Sequence, residues 1–195
     1  HQTTGSKGAE LFLHPPCQPV SYSRLWKLQV PYLSRYFRVT VIDPRGNGRS
    51  DRPPRGYDLD TRYRDLLAVL EAAVRPPFAF VAFACSAMLA FRYAVEHPDR
   101  LSHLILVSGQ YAESVPGPFD EKVAPVIRND FDGWRQRLFT RVFPEPHSLK
   151  GIDDCTAWAG ETTPEVLVES LRAIDGTSVL DLLDKSRVPP LARPR

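Results

Sequence analysis

Phe80-Val81-Ala82-Phe83-Ala84-Cys85-Ser86-Ala87 has the form of a strand that runs straight into a sharp turn and then a helix. In a turn of the small-x-nucleophile-x-small kind, the residues two before and two after the tip must be small, because larger side chains collide where strand meets helix. Centring the pattern on Ala84 puts Ala82 and Ser86 at those places, with Ala87 following. Centring on Cys85 would put Phe83 at the first small position, and centring on Ser86 would put Met88 at the second. The register favours Ala84, so a methyl group stands where the attacking atom of such a turn belongs. Cys85 and Ser86 are the neighbouring substitutes with nucleophilic atoms.

Outward from this turn, apolar runs of strand length alternate with helix-length amphipathic stretches, the pattern of a parallel sheet covered on both faces. Strands are expected at 10–13, 37–42, 78–83 and 103–108. One helix begins near Ser23 with Leu25, Trp26 and Leu28, its end blurred by Pro31. A second is capped near Asp58 or Asp60 and runs to Val74, with Leu66, Leu67, Leu70 and Ala73 on its apolar face and Pro76 as its stop. The third starts at the turn and ends before Pro98. From 111 to 177 the strand signal vanishes, and Trp134, Leu138, Phe139, Val142, Trp158, Val166, Leu167, Leu171 and Ile174 predict several short helices. Pro and Gly punctuate that segment at 115–118 and 143–146.

The composition is that of one ordinary globular domain: 195 residues, 43% hydrophobic and 25% charged, enough to bury a sizeable core. The 25 Lys and Arg are scattered among 23 acidic residues for a net charge of +2, so no nucleic-acid footprint is expected. Cys17, Cys85 and Cys155 are an odd count at wide spacing, which argues against a disulfide framework and a zinc site and for a reducing, cytoplasmic setting. No metal and no cofactor is expected. No apolar run approaches the roughly 18 residues of a membrane span, and no charged-then-apolar leader is present. His1 in place of an initiator Met implies a trimmed start or a beginning inside a longer protein.

Four segments resemble the α/β-hydrolase superfamily, over about 9–188. Leu11-Phe12-Leu13-His14 is similar to the strand that ends in the family's oxyanion loop. Asp43-Pro44-Arg45-Gly46-Asn47-Gly48-Arg49-Ser50-Asp51 is close to its D-x-R-G-x-G-x-S-D turn. Tyr93-Ala94-Val95-Glu96-His97-Pro98-Asp99-Arg100 is similar to its helix ending, with Pro98 fourteen residues after Ala84, and Ile105-Leu106-Val107-Ser108 precedes a helical insertion like its cap. The resemblance implies a partial α/β-hydrolase fold: an α/β core at 1–110, a helical cap at 111–177, and the start of an incomplete C-terminal core at 178–195.

The resemblance also implies a Ser, Asp, His order along the chain, and this chain departs from it at each place. The nucleophile position holds Ala84, no histidine occurs after His147, and 190–195 is too proline-rich and basic for a central strand. One oxyanion donor would be the N–H of Cys85, while the loop meant to supply the other carries Pro15 and Pro16, which have no N–H. Cys17 could serve only from a shifted loop. His14 is then a support of the oxyanion loop rather than a metal ligand or base. Cys85, at a helix N-terminus, could hold a stabilised thiolate, with a small packed cysteine as the plainer reading. Gly46-Asn47-Gly48 lacks the Lys and Ser/Thr of a phosphate loop and reads as a structural turn.

Two classes of function follow. One is a protein related to ester and acyl hydrolases that is inactive in this form. The other is a non-catalytic pseudo-hydrolase that keeps its pocket for a small apolar or ester-like molecule or for a partner protein. Catalysis by Ser86 or Cys85 with a base from another subunit is a third, weaker reading. The 103–108 strand, internal in the resembling fold, should pair its edge by self-association, by cover from 179–195, or else leave the chain marginally stable.

Overall fold

The computed structural model describes residues 1–112, 118–145, 147, 149–185 and 190–192. Among the described residues six strands form one sheet: β1 Gln2–Thr4, β2 Glu10–His14, β3 Arg38–Val41, β4 Phe78–Phe83, β5 Leu101–Val107 and β6 Pro190–Ala192, in the order β1-β3-β2-β4-β5-β6. The four strands read from sequence lie side by side and parallel, as right-handed crossovers require. Two short strands at the edges correct that reading.

At one edge β1 runs antiparallel to β3, with Thr3 opposite Thr40, so the sheet is mixed rather than purely parallel. The reversal depends on Gly8, at φ 94, where an added Cβ would meet the Tyr36 carbonyl oxygen at 2.0 Å. At the other edge β6 pairs parallel to β5, with Leu104 opposite Pro190 and Leu106 opposite Ala192. Proline is compatible with the first residue of an edge strand because its missing N–H breaks no inner ladder. Along Leu104–Leu106 the edge of β5 is thus paired by the chain's own 190–192. Arg193, Pro194 and Arg195, the punctuation at 115–117, Pro146 and the last part of the 179–189 approach lie outside the described residues.

Between strands the helices are α1 Gln29–Leu33, α2 Leu59–Ala73 and α3 Ser86–Glu96. The stretch from Ser23 does not form one helix: Ser23–Trp26 is a short 3-10 turn, and α1 follows with Pro31 in its first turn, where a missing N–H costs no intrahelical bond. Asp58 caps α2 by accepting from the Thr61 N–H at 2.8 Å.

The core lies on both sheet faces. Phe12, Phe78, Phe80 and Tyr93 pack edge-on or tilted beneath α2 and α3, while Leu11, Leu13, Val39 and Val41 pack with Trp26 on the opposite side. Each such side chain contributes roughly 1.5–3 kcal/mol by leaving water.

After β5 the chain forms a wide π-type turn at Phe119–Val123 and then α4 Ala124–Asn129, α5 Phe131–Val142, α6 Leu149–Ala159 and α7 Pro164–Ile174. Asp130 caps α5 through the Gly133 N–H, and Thr163 caps α7 through the Val166 N–H. The segment leaves and returns at one place, because Ala112 bridges Ser178 and the Val179 N–H donates to the Tyr111 carbonyl at 2.8 Å.

Candidate functional site

Ala84 sits between the end of β4 and the start of α3 with φ 55, in the left-handed region. An L residue pays roughly 1–2 kcal/mol for that conformation, so the surroundings must impose it. They do so through the backbone. The Ala84 N–H donates to the Val107 carbonyl at 3.0 Å, and the Ala84 carbonyl accepts from the Ala87 and Gln110 N–H groups at 3.0 and 3.2 Å. The flanking small residues Ala82, Ser86 and Ala87 are fully buried, as expected where a strand and a helix meet with no room for larger groups.

Ala84 lines a cavity of about 650 Å³ beyond the carboxyl end of β4, where clefts of open α/β sheets form. Phe83, Val20 and Leu25 contribute from the sheet side. Trp134, Leu138, Phe139 and Val142 of α5, Cys155 of α6 and Leu167 and Leu171 of α7 close it from the helical segment. Among the described residues the polar lining consists of Gln18, Ser21, Gln110 and Glu145, and no histidine is part of it. A second cleft, about 290 Å³ and lined by Tyr22, Ser23, Asp43, Arg49 and Glu161 among others, contains none of the elbow residues.

Ser86 and Cys85 do not line the cavity. The Ser86 hydroxyl accepts from the Phe83 N–H at 3.0 Å and lies 2.8 Å from the Phe83 carbonyl, which fastens the first turn of α3 back onto β4. Cys85 is fully buried, and burial pushes its thiol well above the ordinary cysteine range; the neighbouring Cys17 thiol pushes the same way. Its thiol donates to Gln18 Oε1. Buried and hydrogen-bonded in this way, Cys85 presents no sulfur to the cavity.

His14, 2% exposed, donates from Nδ1 to the Pro15 carbonyl at 2.6 Å. Burial brings its pKa down to about 4; the Pro15 hydrogen bond opposes this and the Arg62 charge reinforces it. The ring is neutral near pH 7 and, at the end of β2, forms no part of the cavity lining. In the loop after β2 Pro15 and Pro16 offer no N–H, and the Cys17 N–H donates to Cys85 Sγ at 3.1 Å. The shifted-loop donor expected of Cys17 is therefore engaged elsewhere.

Around the glycine turn the Asp43 carboxylate accepts from the Ser23 and Arg49 N–H groups at 3.0 and 3.1 Å. Arg45 grips Asp65 with two bonds of 2.8 Å. This is a structural turn held by its own side chains.

Arg62 is the residue the sequence reading missed. It is 4% exposed, donating Nε to the Tyr57 carbonyl at 2.6 Å, Nη2 to Ser170 Oγ at 2.5 Å and Nη1 to the Cys17 carbonyl, with its guanidinium over the Tyr57 ring. It joins α2, the loop after β2 and α7. The available signal was its place four and eight residues before Leu66 and Leu70, on the buried stripe of α2.

Among the described residues no group of three or more His, Cys, Asp or Glu side chains could hold a metal ion. No helix among them is long and apolar enough to cross a membrane.

Comparison with known proteins agrees with this geometry. The "Putative carbamate hydrolase RutD" of Caulobacter vibrioides is 35% identical over 124 residues, 63% of this chain and 42% of that protein. The non-heme chloroperoxidase of Streptomyces lividans is 31% identical over 99 residues, 46% of this chain and 36% of its own length. The chain thus spans well under half the length of these curated relatives. Among solved structures, the enol-lactonase from Burkholderia xenovorans LB400 superposes with a TM-score of 0.83 at 17% identity, covering 97% of this chain and 74% of that one. A hydrolase from Pseudomonas aeruginosa PA01 gives 0.81 at 23%, with 97% and 72% covered. A family model described as the alpha/beta hydrolase fold matches residues 14–153. With its sheet order, its strained elbow and that match over most of its length, the chain belongs to the α/β-hydrolase fold family.

Proposed function

We propose that this chain is a hydrolase-family protein related to ester and acyl hydrolases that does not hydrolyse esters in this form and retains its cavity for a small, apolar, uncharged or ester-like molecule. The observation that carries the reading is Ala84, at φ 55 on the cavity wall, with a methyl group where an elbow of this geometry presents its nucleophile. Around it, no histidine among the described residues lines the cavity, and the loop that should complete an oxyanion hole has prolines at 15 and 16. Losing one such donor alone costs roughly 100- to 1000-fold in rate. The helices at 111–177 then act as a cap over the cavity, and their apolar side chains favour a ligand without charge, since Glu145 is the only charged residue in the lining among the described residues.

The test compares p-nitrophenyl ester hydrolysis by the chain and by its Ala84→Ser variant, together with binding of a neutral apolar probe followed by Trp134 fluorescence. The reading expects no turnover above buffer from the chain, little or none from the variant, and saturable binding by both. Ester turnover abolished by Ser86→Ala, or absence of saturable binding, would overturn it.

A further inference from the structure

We propose that Cys17 and Cys85 are a redox pair, a modification site that closes to a disulfide between the loop after β2 and the elbow. The two sulfur atoms lie 2.9 Å apart although 68 residues separate them in sequence. The Cys17 N–H also points at Cys85 Sγ at 3.1 Å, so backbone and side chain converge on the same sulfur. Both residues are buried, 1% and 0% exposed, in one hydrophobic cluster, whereas Cys155 belongs to another. Disulfides demand close, correctly aimed side chains; two thiols already in contact meet the first demand without moving a strand or helix.

The oxidant is a low-molecular-weight disulfide, R–S–S–R. One cysteine thiolate attacks a sulfur of the oxidant and expels R–S⁻; the second attacks the resulting mixed disulfide and expels the other R–S⁻. Two protein S–H groups and one R–S–S–R become one protein S–S bond and two R–S–H, with two electrons passing to the oxidant and both protons to the departing thiolates. Burial keeps the Cys85 thiolate scarce, so exchange in the closed fold is slow and proceeds through opening of the 15–18 loop. Closure removes the S–H that Cys85 donates to Gln18, a residue of the cavity wall.

The experiment incubates the 195-residue chain with oxidised glutathione, in buffer and in sub-denaturing urea, followed by alkylation, intact mass measurement and peptide mapping. The expected result is loss of two alkylatable thiols, a linked peptide pair containing Cys17 and Cys85, alkylated Cys155, and a melting temperature raised by several degrees until dithiothreitol is added. The Cys155→Ala variant should behave identically, and Cys17→Ala should leave Cys85 alkylatable. Three alkylated cysteines after both incubations, a bridge to Cys155, or glutathione adducts that never resolve to the pair would overturn the proposal.

Discussion

The N–H of Ala84 donates to the carbonyl of Val107, so the bend between β4 and α3 is held from across the sheet by the last residue of β5. The bend persists with alanine at its tip because the constraint lies in the backbone and does not require a functional side chain.

That constraint gives Ala84→Gly an unusual sign. At φ 55 glycine relieves strain of roughly 1–2 kcal/mol, partly offset by the greater freedom of glycine in the unfolded chain. A net gain of about 0.5–1 kcal/mol is expected in urea melts. Ala87→Gly, inside α3, should lose about 1 kcal/mol. Destabilisation of both variants to the same degree would show that the bend is not strained.

His14 makes stability depend on pH in a defined window. Its native pKa of about 4 lies below the ordinary value of 6.5, so the unfolded chain binds the extra proton first as pH falls. Stability from this residue is complete above pH 6.5, declines as pH drops towards 4 and is constant below; the full swing is about 3 kcal/mol. Denaturant melts across that range should show the decline, and His14→Gln should flatten it. A slope unchanged by the substitution would assign the pH dependence to other groups.

Arg62→Met should be costly. It leaves the Tyr57 and Cys17 carbonyls and the Ser170 hydroxyl without their donor in the interior. Each unsatisfied buried group costs roughly 1–3 kcal/mol, and partial relaxation makes about 3 kcal/mol the expected total. Calorimetry should show a correspondingly lower melting temperature; a change under about 0.5 kcal/mol would mean that these groups find other partners.

Leu171→Phe places a larger side chain on the cavity wall. If the cavity holds an apolar molecule, the variant should bind a neutral probe at least about tenfold more weakly, equivalent to about 1.4 kcal/mol, at nearly unchanged stability. Titration of Trp134 fluorescence against the probe reads the effect directly.

The four central strands and the helices α2 and α3 were legible because each rests on short-range rules: apolar runs of strand length, the Asp58 cap, and the sharp strand-to-helix turn that Ala82, Ser86 and Ala87 allow. The edge strands were not. Gln2–Thr4 is three residues long and carries no periodicity, and Pro190–Ala192 contains a residue type that strands normally exclude. The contact between Cys17 and Cys85 was hidden for a different reason, since nothing in a spacing of 68 residues says which loops meet. Arg62 was misjudged as one more scattered charge, although its position on the α2 stripe pointed inward.

Arg62 also ties the movement of two parts of the molecule together. Ser170, which it holds, lies on α7 between Leu167 and Leu171, both on the cavity wall. The Cys17 carbonyl, held by the same guanidinium, belongs to the loop that carries Gln18 into that wall from the opposite side. Any outward displacement of α7 that widened the cavity would pull on a buried cation, and through it on the loop below. Roof and floor share one buried cation, so moving either relative to the other has to stretch or break a bond to Arg62.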